Sequence, residues 1–259
     1  MKRIALVSGI CLLLSIFSVA YAKVADTDIV GLWLMDDSGK TVTDLSKNIL
    51  NGEIKGSSKS VEGKFSKAIS FAGDADSWVL VPYKDVIALE QFSCCAWVKL
   101  EKNDWQVVVQ RNAFDNGDGS GQNNYSIFTD PAGIVTNGFS DQGGGWNTVV
   151  SKTGVSDGSW HHLVGSYDGQ LLTIHIDGKK EGELAIKVKP VLHKQPLVIG
   201  GDNRNSANTK GAIDEVLVTK RALNDAEIKE IISDGLSKLA VVSNIGKLTT
   251  CWGQTKTNQ

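Results

Sequence analysis

The chain is poor in the residues that carry chemistry. Its 259 residues include only four cysteines and four histidines. Cys11 lies in an apolar N-terminal stretch, which leaves Cys94, Cys95 and Cys251. Cys94 and Cys95 are adjacent, so on a strand they point to opposite faces. One of them could pair with Cys251 in an oxidising compartment, but the simpler reading makes Cys94 a small apolar core residue. Three cysteines without paired spacing do not make a zinc site. His161 and His162 are also adjacent and cannot chelate one ion from a single strand face, while His175 and His193 stand alone. No serine sits in a Gly-x-Ser-x-Gly turn, so an esterase triad has no anchor. A basic excess is missing too: 27 Lys and Arg face 29 Asp and Glu, with no stripe to follow a phosphate backbone. Nucleic acid is not an expected partner. No repeat of solenoid period is present.

The N-terminus reads as a signal peptide. Lys2 and Arg3 precede an apolar stretch from Ile4 to Val19, and Ala20-Tyr21-Ala22 is a small-x-small cleavage site. The stretch is short for a membrane span of about 20 residues. Cleavage after Ala22 is therefore expected, with no span left afterwards and a location outside the cytoplasm, extracellular or periplasmic. Lys2 and Arg3 are the only charged residues in 1–22, so the rest of the chain has 25 basic against 29 acidic side chains. Its length suits one β-sandwich with ample core.

What is present is a succession of strand-like runs from Gly31 to Thr219, spaced by Gly, Asn and Asp turns, the pattern of a sandwich or barrel. The plainest stretch begins at Trp160. Asp168-Gly169 and Asp177-Gly178 join three short runs there. Asp-Gly between apolar runs signals a hairpin, because both central residues of a type I′ turn need positive φ. An antiparallel meander is expected. In the run Phe92–Val98, alternation puts Phe92, Cys94, Ala96 and Val98 on one face, with Cys95 and Trp97 on the other. One short C-terminal helix is expected at about 223–234. Asn224 is its N-cap, Glu227 completes a capping box, and Leu223 with Ile228 makes a hydrophobic staple. Ile228, Ile231 and Ile232 form its apolar face, and Gly235 stops it. Residues 236–259 read as a polar tail.

An ordered set of short pieces then resembles a known family. They are Gly31-Leu32-Trp33-Leu34-Met35-Asp36, Thr43-Asp44-Leu45-Ser46, Asn51-Gly52, Gly63-Lys64-Phe65, Ala68-Ile69-Ser70-Phe71, Ala96-Trp97-Val98 and Trp160-His161-His162. Ile176-Asp177-Gly178-Lys179, Gly211-Ala212-Ile213-Asp214-Glu215-Val216 and Arg221-Ala222-Leu223 complete it. The chain resembles the laminin-G-like jelly-roll domains of bacterial secreted proteins, in the concanavalin-A-like lectin/glucanase superfamily, from about Ile29 to Gly235, which sets a jelly-roll domain at residues 23–235. The resemblance implies an all-β fold, a two-sheet antiparallel jelly-roll sandwich. It also implies a binding role and a structural calcium ion. Where such domains often carry Glu, this chain has Cys95, which puts any polar role there in doubt.

The resemblance places calcium on Asp36 at the end of the first strand and Asp214 in the last main strand, with carbonyls of the Asn51-Gly52 turn, Gly52 included, as further ligands. Calcium takes six to eight oxygens, so carbonyls count. The plainer roles are turn capping for Asp36 and a strand-end acceptor for Asp214. The Asp115–Gly121 run lacks the order of an EF-hand loop and reads as a loop only. Catalysis is not expected. A retaining glycosidase needs two carboxyls about 5–5.5 Å apart, and adjacent Asp214 and Glu215 should face opposite ways on a strand. Asp74 and Asp76, beside Trp78, read as turn formers. For ligand binding, an aromatic platform beside a few planar polar groups is the general requirement. Trp146, Trp78, Trp105, Asn203 and Arg204 are the candidates. Trp146, which follows three glycines, is the foremost of them. The plainer role for Trp105 is a hairpin cap, and Trp33, Trp97 and Trp160 read as strand packing. The sum is a secreted, non-catalytic module that binds carbohydrate with a structural calcium ion. The alternative is an adhesion module for an extracellular or cell-surface protein, without a sugar site. A polysaccharide-degrading enzyme stands behind both.

Overall fold

The computed structural model describes residues 23–102, 104–112, 122–201 and 207–240. The expected signal peptide, Asp115–Gly121, Asn203, Arg204 and Cys251 lie outside the described residues. The first strands are β1 (Ile29–Trp33), β2 (Thr41–Val42), β3 (Gly52–Ile54), β4 (Lys59–Glu62), β5 (Lys67–Ala72), β6 (Val79–Val81), β7 (Phe92–Leu100) and β8 (Gln106–Asn112). They are followed by β9 (Asn123–Thr129), β10 (Ile134–Ser140), β11 (Trp146–Gly154), β12 (Trp160–Tyr167), β13 (Leu171–Ile176), β14 (Lys179–Ala185), β15 (Leu197–Ile199), β16 (Lys210–Thr219) and the helix α1 (Asp225–Asp234).

These strands build two antiparallel sheets of eight strands each. The first runs β14-β13-β12-β7-β16-β5-β4, with β1 also paired to β16. The second runs β11-β10-β9-β8-β15-β6-β3-β2. The pleat explains which side chains meet between them. Phe92, Cys94, Ala96, Val98 and Leu100 of β7 face the second sheet, where Tyr125, Ile127, Val135 and Phe139 meet them. The rings of Phe92 and Tyr125 stand 5.5 Å apart, and those of Phe139 and Tyr167 stand 4.6 Å apart. The alternate residues of the first sheet point away from that core. Cys95, Val164 and Leu217 are covered by Leu223, Ile228 and Ile231, so α1 closes the outer face of this sheet. Its start is the expected capping box: Asn224 Oδ1 accepts from the N–H of Ala226 and Glu227, and Glu227 Oε2 accepts from Asn224 N–H.

The meander is β12-β13-β14, and its two turns differ. Asp177 (φ 51°) and Gly178 (φ 77°) are both left-handed, as a type I′ turn requires. At Asp168-Gly169 only Gly169 has positive φ, 94°. There the Asp168 carboxylate accepts from the N–H groups of Gln170 and Leu171 at 2.8 and 2.7 Å, so the side chain sets the turn.

The loop after β2 is organised by one buried acid. Asp44 Oδ1 accepts from the N–H of Leu32 at 2.9 Å and of Ser46 at 2.8 Å. Its Oδ2 accepts from Leu50 N–H and from Ser46 Oγ, both at 2.7 Å. Trp33 Nε1 donates to the Leu50 carbonyl at 2.9 Å, tying the same loop to β1. Removing the carboxylate would strand several buried donors, each at about 1–3 kcal/mol. Asp44→Ala is expected to lower the unfolding free energy by about 3 kcal/mol, and Asp44→Asn, which keeps Oδ1, by less. Urea unfolding measures both; a loss under about 0.5 kcal/mol for Asp44→Ala, the level of an ordinary surface change, would refute this role.

Candidate functional site

The outer face of the second sheet differs from that of the first. No helix of the described residues covers it, and it exposes aromatic rings. In β9, Tyr125 and Ile127 point into the core, so Ser126 and Phe128 point out. In β11, Val149 points in, so Trp146, Thr148 and Val150 point out. Trp146 is 47% exposed and Trp105, just before β8, is 45% exposed, values far from those of the core tryptophan Trp33 at 0%. Phe128 sits between them, with centroids 5.7 Å from Trp105 and 6.4 Å from Trp146. The planes of Phe128 and Trp146 differ by only 23°.

Gly138 in β10 makes this arrangement possible. It pairs with Ser126 on one side and Thr148 on the other. A Cβ there would stand 2.9 Å from Trp146 Cζ2 and 2.8 Å from Thr148 Cγ2. The indole therefore lies across bare backbone. Trp78 lies on this face too, half-buried against Val107 and Val198 in the same small cluster as Phe128. Of the tryptophans expected at a ligand, Trp146 is presented and Trp78 is packed. Trp105 is presented as well, while Phe128 was not among the expected residues. The alternation Tyr125-Ser126-Ile127-Phe128 was the available signal for it.

The acidic candidates gather on the outer face of the first sheet. β16 carries a bulge: Asp214 pairs with Trp97 and Leu217 with Cys95, so Glu215 and Val216 stand opposite Ala96 alone. Glu215 is left-handed, with φ 48°. Ile213 and Val216 both enter the core, so the two residues between them turn outward together. Asp214 and Glu215 thus do not face opposite ways as the strand pattern suggested. Asp214 Oδ2 accepts from Phe65 N–H at 2.9 Å, and a Cβ on Gly63 would meet it at 2.7 Å. Its Oδ1 is buried without a hydrogen-bond partner. Glu215 Oε2 accepts from Leu236 N–H at 2.5 Å, just beyond α1. Asp36, whose Oδ1 accepts from Lys67 N–H at 2.8 Å, is close enough to act electrostatically on both. Gly52 belongs to the second sheet, with Val79 and Val81 around its Cα. Among the described residues, no group of three or more His, Cys, Asp or Glu could hold a metal ion by itself.

The remaining titratable groups are packed. His162 is fully buried beside Trp97, at a ring distance of 5.2 Å, and Cys94 and Cys95 are free, buried thiols pushed up by burial. His161 points the other way, to Asp177 at 2.8 Å and Asp157 at 3.2 Å. A cavity of about 450 Å³ near the start of β16 is lined by Ser70, Lys99, Glu101, Lys210 and Ala212, and neither Asp214 nor Glu215 lines it.

Two antiparallel sheets packed face to face, with a helix on one outer face, define a jelly-roll sandwich. Residues 73–229 match the concanavalin A-like lectin/glucanases superfamily, and the chain belongs to that family. No curated protein matches it. Solved structures with the same fold include the binding domain of Paraclostridial Mosquitocidal Protein 1, at TM-score 0.64 and 19% identity over 80% of this chain and 52% of that one. Domain 4 of AbnA, an extracellular arabinanase of Geobacillus stearothermophilus solved with arabinotriose, gives TM-score 0.62 and 19% identity over 79% of this chain and 98% of that one. The botulinum neurotoxin serotype G binding domain gives 0.63 and 12%, over 79% of this chain and 50% of that one. The chain thus spans about half of each toxin structure. The described residues contain no helix long and apolar enough to cross a membrane.

Burial pushes the carboxyls of Asp214 and Glu215 up to about 7; Asp36 adds to both, while backbone N–H donors pull the other way. Burial pulls His162 down to about 3. In the unfolded chain the two carboxyls ionise near pH 4. Between about pH 4 and 7 the folded state therefore holds more protons, and stability falls as pH rises. His162 acts oppositely: the unfolded chain gains its proton below about pH 6.5, so stability falls as pH drops below that. Above pH 6.5 the carboxyls are joined by His161, whose pKa, pulled down by burial, is raised on balance by Asp177 and Asp157, and whose contribution is likewise lost as pH rises. With a chelator present, raising the pH from 6.5 to 8 is expected to lower stability by about 1 kcal/mol, or about 2–4 °C in Tm for a domain of this size. Asp214→Asn should flatten that slope. A wild-type Tm that is constant or rising over this range would contradict it.

Proposed function

We propose that the chain is a secreted, non-catalytic module that binds carbohydrate on the outer face of its second sheet. The row Trp105–Phe128–Trp146 carries this reading. Two exposed indoles with a partly buried phenyl ring between them make an apolar surface on which the C–H faces of sugars stack, and a few polar groups beside them fix orientation. The family and the folds it resembles support a binding role. One of those folds, the arabinanase domain, was solved with a trisaccharide. A purely protein-binding surface remains the competing reading, since tryptophan and phenylalanine also anchor protein interfaces.

Trp146→Ala separates the two. The indole is half exposed and lies over Gly138, so its removal should leave Tm within about 2 °C, as for a surface change. Binding to a retained polysaccharide should weaken at least about tenfold, or about 1.4 kcal/mol. Retention on a polysaccharide affinity gel measures this, and unchanged retention would remove Trp146 from the site.

The same reading includes a structural calcium ion held by Asp36 and Asp214, with backbone carbonyls completing its shell. The orphaned, buried Oδ1 of Asp214 beside a second carboxylate fits a hard cation, which would supply the missing counter-charge. Gly52 does not join this pair. Calcium at about 100-fold over its Kd would stabilise the fold by about 2.7 kcal/mol, about 5–10 °C in Tm. A chelator that shifts Tm by less than about 1 °C on verified metal-free protein would end this part of the proposal.

A further inference from the structure

We infer that the aromatic face takes an extended, uncharged glycan laid across the strands, with one sugar unit on each of the three rings, and does not read a chain end. The inference rests on the carbohydrate reading above and specifies its ligand.

The direction comes from the register. Trp105 precedes β8, Phe128 lies in β9, and Trp146 stands at the start of β11 with its ring over Gly138 of β10. The row therefore crosses strands rather than following one. With successive centroids 5.7 and 6.4 Å apart, it extends up to about 12 Å, longer than a single sugar ring. A site for a terminal sugar would enclose that sugar, whereas Trp105 and Trp146, at the two ends of this row, are 45% and 47% exposed.

The charge of the ligand comes from the floor. Cross-strand pairing sets out two outward rows, Gln110–Ser126–Gly138–Thr148 and Phe128–Thr136–Val150. Neither contains a charged side chain, so nothing there compensates a carboxylate or amine. Gln110 is 5% exposed and Ser126 0%, so both lie beneath the surface a ligand would touch. Of the two rows, Phe128 and Thr148 are partly exposed and Val150 is 52% exposed, a neutral surface that carries one hydroxyl.

The test uses the full mature chain. Affinity gels containing arabinan, xylan, mannan, mixed-linkage glucan or polygalacturonate first identify a retaining polymer. Calorimetry then follows its monomer, dimer, trimer and tetramer. The expected result is retention by a neutral polymer, with affinity rising at least about tenfold from monomer to trimer and little beyond. Trp105→Ala and Trp146→Ala, at opposite ends of the row, should each weaken the trimer about tenfold. Retention by polygalacturonate alone, a monomer binding as tightly as the trimer, or loss confined to one of the two variants overturns the extended-chain inference and leaves carbohydrate binding standing. Retention by none of the polymers overturns the carbohydrate reading itself.

Discussion

One extra residue in β16 organises the outer face of the first sheet. A regular strand would send Glu215 into the apolar core, where an unpaired carboxylate is very costly. The bulge instead spends a left-handed residue, at about 1–3 kcal/mol, and turns Asp214 and Glu215 outward together. Each carboxylate then holds a neighbouring segment. Asp214 receives the turn that contains Phe65, between β4 and β5, and Glu215 receives Leu236 after the helix. Gly63 and Gly235 are the residues that let those backbones come so close: a Cβ on either would lie within 3.0 Å of a carboxylate oxygen. The edge of the sheet and the end of α1 are thus fixed to the same two side chains, whose raised pKa values reflect the burial this demands.

The second sheet solves the same problem differently. Its inner residues complete the core, but its outer ones are not roofed by a helix in the described residues. Val107 and Val198 are covered by Trp78, Leu80 and Phe128, a thin apolar layer that ends in exposed rings. Gly138 matters here for its missing side chain and not for its backbone freedom. Without a Cβ it lets the Trp146 ring come close over the strand and stand nearly parallel to Phe128. A single methyl group at that position would lift the indole and break the row.

Much of this was legible in the sequence because it rests on local rules. Alternation placed Cys94 in the core and Trp97 outside it. The Asn224–Glu227 spacing fixed the start of α1, and Asp177-Gly178 fixed a hairpin of the meander. Other features were hidden wholly or in part. The Asp177-Gly178 turn announces β14, Lys179–Ala185, but this is a polar edge strand whose extent hydrophobicity does not mark and pairing with β13 sets. The bulge breaks the period of two that alternation assumes, so Asp214 and Glu215 were read on opposite faces. Trp105 stands outside any periodic run, and only the fold brings it within 5.7 Å of Phe128, whose own outward position could be read from its neighbours.

The separation of these two features bears on mechanism. Glycoside hydrolysis places a pair of carboxyls astride the bound sugar, one of them held protonated near neutral pH. Asp214 and Glu215 have the raised pKa such an acid needs, but a raised pKa without access is not a catalytic centre. Backbone donors occupy one oxygen of each, and Gly63 and Gly235 pack against them. They also belong to the outer face of the first sheet, with the full thickness of the sandwich between them and the aromatic row. A ligand on the proposed row Trp105–Phe128–Trp146 would therefore meet a neutral stacking surface, while the buried acid pair ties the scaffold together on the far side. Such a division of labour suits a module that holds its ligand without cleaving it.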